Sequence, residues 1–117
     1  MHGAIHILGV GSIGSLFAVH LRKANFRPIL LSRQPVERDH LASITLECDG
    51  LPTVVQDFQQ EYIRSSDSQP ISFLLVCCKV QATVQLVKQL AHRLNSESIV
   101  VFLQSVPLIL SKLRRAI

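Results

Sequence analysis

The chain has 117 residues, 48 % of them hydrophobic, and a formal net charge of +4. That length bounds it to one domain with a real hydrophobic core, and that composition excludes intrinsic disorder. The longest apolar stretch, residues 73–78, falls far short of the roughly 20 residues that cross a bilayer, and the Lys and Arg residues are scattered without interleaved aromatics, so neither a membrane nor a nucleic acid is an expected partner.

Residues 4–8 (AIHIL) read as a central parallel strand, apolar almost throughout because both faces are covered. His6 is the exception and reads as a partly buried side chain with a hydrogen-bonded ring. Immediately after come Gly9, Val10, Gly11, Ser12, Ile13 and Gly14, a G-x-G-x-x-G sequence set where a strand turns into a helix. Alone the hexapeptide is a weak signal; the strand before it and the amphipathic helix after it make it strong. Gly9 permits the tight turn, Gly11 lets the backbone approach a pyrophosphate, and Gly14 lets helix and strand pack closely. Free N–H groups at the helix start and the helix dipole attract the phosphates. Residues 12–24 form that helix, with Ile13, Leu16, Phe17, Leu21 and Ala24 as its apolar stripe. Ser12 caps it or touches a phosphate, and His20, Arg22 and Lys23 suit its C-terminal turn.

After a return loop, residues 28–31 form a second strand that ends at Ser32 and Arg33. A site for NAD places a carboxylate at this position to accept from the ribose 2′-OH. Here the residue is Arg33, whose guanidinium matches a 2′-phosphate instead. The expected cofactor is therefore NADP(H), with Ser32 adding a hydrogen bond. Residues 34–42 read as a loop with a short helical turn. Residues 43–47 and 51–55 read as a hairpin around the turn at 48–50, and the polar stretch 56–69 is assigned no element.

Residues 73–78 are the clearest buried strand, and alternation along it would send Cys77 and Cys78 to opposite faces. With Cys48 they make an odd number of thiols, read as reduced and buried. Such thiols, and a first strand that begins almost at Met1 with no room for a leader, fit a cytoplasmic protein. Lys79 follows at the sheet edge, placed for a phosphate or the nicotinamide ribose. Residues 80–95 form a second amphipathic helix, and 99–103 another buried strand. Gln104 and Ser105 stand at the next strand edge, where Ser105 donates to a substrate oxygen or caps a helix over 108–116. No residues have metal-ligand spacing, and no nucleophile elbow is present.

The order is β-α-β, a small β excursion, then β-α-β-α. It predicts one α/β domain over residues 1–117: a Rossmann-like, doubly wound, mostly parallel sheet with the first strand central and the 73–78 strand beside it. Ligands bind at the carboxyl ends of such strands. The glycine turn, Ser32-Arg33, Lys79 and Gln104-Ser105 all fall there.

These residues resemble the N-terminal domain of the ketopantoate reductase (2-dehydropantoate 2-reductase) family. The likeness runs through residues 5–14, through Leu30-Leu31-Ser32-Arg33, through residues 73–79 with Gln81 and Thr83 following, and through residues 100–104. It implies NADPH-dependent reduction of a 2-oxo acid, ketopantoate, to pantoate on the route to pantothenate. It also implies Arg33 on the 2′-phosphate and Lys79 at the cofactor and substrate cleft. Two departures stand out. Where the family has Gln/His-Asn-Gly, this chain has Gln104-Ser105-Val106. The family's helical C-terminal domain, with its catalytic lysine, has no counterpart in 117 residues. The resemblance thus implies a cofactor-binding domain with little independent activity and an exposed face for a partner or oligomer. Two alternatives remain: a non-catalytic NADP-sensing or interaction module, and another NADP-dependent 2-oxo acid, 3-hydroxy acid or imine reductase.

Overall fold

The computed structural model describes residues 3–9, 11–36, 41–47, 49–64 and 69–103. Ala4–Leu8 (β1) is apolar at four of five positions and lies where both faces are covered. It pairs in parallel with Arg27–Ser32 (β2) on one side and Phe73–Val76 (β5) on the other. Beyond β2 come Val54–Tyr62 (β4), also parallel, and Leu41–Leu46 (β3), antiparallel at the edge. Beyond β5 comes Ile99–Phe102 (β6), parallel. Among the described residues the order across the sheet is β3-β4-β2-β1-β5-β6. The α/β, mostly parallel architecture and the central first strand are as expected.

Alternate residues of each strand feed two cores. Ile5, Ile7, Leu30, Ile44, Phe58 and Leu75 pack with Ala18 and Val19 of the first helix, Ser12–Lys23 (α1). Leu8, Leu31, Leu74 and Val76 pack with Leu86, Val87 and Leu90 of the second, Val80–Leu90 (α2). The two helices therefore cover opposite faces, which is why the central strands carry apolar side chains on both.

The buried side of α1 differs from the expected stripe. Gly14, Ala18 and Val19 are buried, whereas Ile13, Leu16 and Phe17 are exposed. Small side chains let the helix axis sit close to the sheet, and that selects the face; the larger apolar residues are turned away. The helix ends where Asn25 adopts a left-handed conformation (φ 68°). The Phe26 N–H donates to the Leu21 carbonyl at 3.0 Å and the Asn25 N–H to that of Arg22 at 2.9 Å, a Schellman closure.

Other boundaries shift as well. Leu41 and Ala42 belong to β3, so the expected loop is shorter than residues 34–42. The return strand starts at Val54 and continues through the polar residues up to Tyr62. Its ladder bonds to β2 and β3 and one fully buried side chain, Phe58, hold it in place of a continuous apolar pattern. Arg22 of α1 stacks on the Phe58 ring with 3.9 Å to its centroid. Strand β5 stops at Val76, so Cys77 and Cys78 lie in the turn after it. Helix α2 stops at Leu90, and a 3-10 turn, Ala91–Arg93, finishes it. Strand β6 stops at Phe102. The helix expected over 108–116 and Cys48 fall outside the described residues.

His6 is buried, as expected, and its ring stands against the Glu61 carboxylate. Its Nε2 lies 3.3 Å from Glu61 Oε1, while neither ring nitrogen makes a well-aligned hydrogen bond. The same Glu61 oxygen accepts from Arg93 Nη1 at 3.0 Å, and Arg93 Nε donates to the Gln69 carbonyl at 2.9 Å. His6 and Arg93 beside it hold the Glu61 carboxyl at about 2, against a burial that pushes it up. This network ties β1, β4 and the end of α2 together beneath the sheet.

Candidate functional site

The turn after β1 is built from two glycines pressed against neighbouring backbone. Gly9 has φ +88°, a conformation that side chains disfavour, and a Cβ there would collide with the Cys78 backbone. A Cβ on Gly14 would come within 2.6 Å of the Gly9 carbonyl oxygen. The turns after β1 and β5 are thus packed directly on each other, and the Cys77 N–H donates to the Leu8 carbonyl at 2.8 Å.

Gly11 is different. Its φ of −99° is open to any residue, and an added Cβ would meet nothing within 4 Å. The fold makes no demand for glycine there. Gly11, not Ser12, is the N-cap of α1, and no side chain caps the helix. Its first N–H groups face outward, as a phosphate site requires. An open, unobstructed glycine at an uncapped helix start fits a pyrophosphate and is otherwise unexplained.

Above this turn a cleft of about 550 Å³ runs along the carboxyl ends of the strands. Gly9 and Gly11 line it from β1, Ser32 and Arg33 from β2, and Lys79 from β5. These five expected site residues are therefore brought together. Ser12, Ile13 and Gly14 lie on α1 outside the lining, Gly14 buried and the other two exposed. Val10, Gln104 and Ser105 fall outside the described residues.

The Ser32 hydroxyl is already committed. It donates to the Gln34 carbonyl at 2.9 Å and accepts from the Gln34 N–H at 3.1 Å. This closes a small turn that presents Arg33 to the cleft, so Ser32 acts on the arginine's position. Arg33 and Lys79 are both exposed. Lys79 is the N-cap of α2, and its carbonyl is held by the Ala82 N–H at 3.0 Å and the Thr83 hydroxyl at 3.1 Å. Thr83 also meets Cys78 Sγ at 3.3 Å, fixing the turn from below. Among the described lining residues there are two cations and no carboxylate.

Sequence reasoning missed the outer wall. Ala42, Ser43 and Ile44 of β3 and Gln60 of β4 line the cleft beyond Arg33, and Cys77 and Cys78 line its inner side. The alternation of residues 42–46 carried a usable signal for β3, but nothing in the polar run around Gln60 marked a strand. Cys77 is half-buried, and desolvation with the neighbouring Cys78 pushes its thiol up to about 11, so it is not a nucleophile near neutral pH.

Residues 5–111 match the family model of Ketopantoate reductase PanE/ApbA. Among solved structures, the chain is similar to a protein assigned as 2-dehydropantoate 2-reductase from Enterococcus faecalis (TM-score 0.75, 18 % identity), over 99 % of this chain and 37 % of that one. It is also similar to the dimeric ketopantoate reductase of Staphylococcus aureus (TM-score 0.60, 14 % identity), over 85 % of this chain and 32 % of that one. The chain therefore spans about a third of the length of these proteins, and the likeness is one of fold. No helix among the described residues is long and apolar enough to cross a membrane.

Proposed function

This chain belongs to the ketopantoate reductase family, and from that premise we propose that it is the NADP(H)-binding part of a reductase acting on a 2-oxo acid such as ketopantoate. One observation carries the reading: the cleft over the glycine turn is lined by Arg33 and Lys79 and by no carboxylate among its described residues. An NAD site would present an acceptor to the ribose 2′-OH at the end of β2. A guanidinium in that place offers charge-assisted hydrogen bonds to an anion, and a 2′-phosphate is the anion this position would meet.

Each element then has a task. The uncapped start of α1 and the open backbone at Gly11 receive the pyrophosphate. Arg33, set by the Ser32 turn, takes the 2′-phosphate. Lys79, one strand to the other side of β1, stands toward the nicotinamide half, where it orients the ribose or a substrate carboxylate. The nicotinamide nucleotide supplies a hydride when bound. The chain spans 37 % of the Enterococcus faecalis protein, and Lys79 is the one group of this cleft that we assign to the 2-oxo acid.

The test is a paired titration with NADPH and NADH. The expected result is a preference for NADPH of about tenfold or more, worth about 1.4 kcal/mol, which Arg33→Ala removes. Equal affinity for both nucleotides, or an unchanged preference in the variant, refutes the assignment. The chain mixed with NADPH and ketopantoate is expected to bind the nucleotide without turnover.

A further inference from the structure

We propose that Gln60, on β4, is a second determinant of NADPH selectivity and donates to the 2′-phosphate beside Arg33. This rests on the NADP(H) reading above. Gln60 pairs in register with Leu30 of β2, and both line the cleft on the α1 side of the sheet. The neighbouring wall is mostly apolar, Leu30, Ala42 and Ile44, with Ser43 beside them. The adjacent Glu61 serves the opposite face, where it holds Arg93 and His6. Gln60 is half-buried, and among the described residues its carboxamide has no hydrogen-bond partner. A carboxamide at the cleft wall that is not spent on the protein's own hydrogen bonds is available to a ligand.

Position along the sheet edge says which part of the ligand it meets. In the order β5, β1, β2, β4, the cleft offers Lys79, the glycine turn, Arg33 and Gln60. The pyrophosphate sits at the start of α1, and the residue at the end of β2 meets the ribose 2′ position. Gln60 stands one strand further out, where a 2′ substituent projects. A carboxamide offers two N–H donors without a charge of its own, so it adds to Arg33 against a phosphate and gives little to a hydroxyl already solvated.

The probes are 2′,5′-ADP and 5′-AMP, which differ only in the 2′-phosphate, titrated into the whole chain and into Gln60→Leu and Gln60→Glu, with circular dichroism to verify folding. The wild-type chain is expected to bind 2′,5′-ADP more tightly. Gln60→Leu narrows that gap about fivefold, the weight of one hydrogen bond, with 5′-AMP affinity unchanged. Gln60→Glu, nearly the same shape, narrows it further by repulsion. A gap that survives in whichever variants fold overturns the role of Gln60 and leaves the NADP(H) reading intact. A folded wild-type chain that binds neither 2′,5′-ADP nor NADPH overturns both.

Discussion

Three glycines of a single turn answer to different demands, and substitution separates them. Gly9 is held by its positive φ and the Cys78 backbone, Gly14 by the Gly9 carbonyl, and Gly11 by nothing among the described residues. Gly9→Ala and Gly14→Ala are expected to destabilise the fold by about 2 kcal/mol or more, read from urea unfolding. Gly11→Ala is expected to change stability by less than about 0.5 kcal/mol while weakening NADPH binding severely in a titration. The demands on Gly9 and Gly14 were legible in the hexapeptide, because a tight turn and a close backbone approach each call for glycine at a fixed spacing. The role of Ser32 was not legible. Its hydroxyl bonds to Gln34, two residues on, and no pattern in the sequence distinguishes that from a bond to ligand.

At the scale of elements, the triad of His6, Glu61 and Arg93 fastens α2 to the sheet. Arg93 is 2 % exposed and Glu61 24 %, so Glu61→Gln leaves a buried cation with a weaker partner and should cost about 2 kcal/mol. The sign of the pH dependence follows from the depressed carboxyl. Glu61 titrates at about 2 in the fold against an ordinary value of 4.5. Its stabilisation is complete above pH 4.5 and is lost as the pH falls toward 2. Urea midpoints measured across that window should fall more steeply for the wild-type chain than for Glu61→Gln. None of this was visible in a lone His within an apolar run, since its partner lies on a strand that the polar run at residues 56–62 concealed. The central strands β1, β2 and β5, buried on both faces, declare themselves by composition, as does the apolar run of the partly buried β6. Strand β4 is held by backbone pairing and one buried aromatic, and β3 lies at the sheet edge, so the hairpin was placed several residues short. The buried face of α1 was misjudged for the opposite reason: large apolar side chains drew attention, and the small ones make the contact.

At the scale of the whole molecule, the side of the sheet that α1 leaves bare holds an apolar groove of about 610 Å³ between Phe17, Phe73, Leu75, Ile99 and Val101. Ile99 is 55 % exposed, so Ile99→Lys should alter stability by less than about 0.5 kcal/mol yet clearly reduce the fluorescence of a hydrophobic dye bound to the native chain. The order of the strands also has a consequence in time. Strands β3 and β4 are neighbours in the chain and pair as a hairpin, so their contacts close over a short loop and form early. The central pairing of β1 with β5 must bring residue 6 to residue 74, and contacts of such long range set a slow rate. The cleft opens between those two parts, its outer wall from the hairpin and its glycine turn locked against Cys78. During folding, the hairpin wall of the cleft would exist before its glycine turn is locked, so a nucleotide bound as proposed would stabilise only the last step.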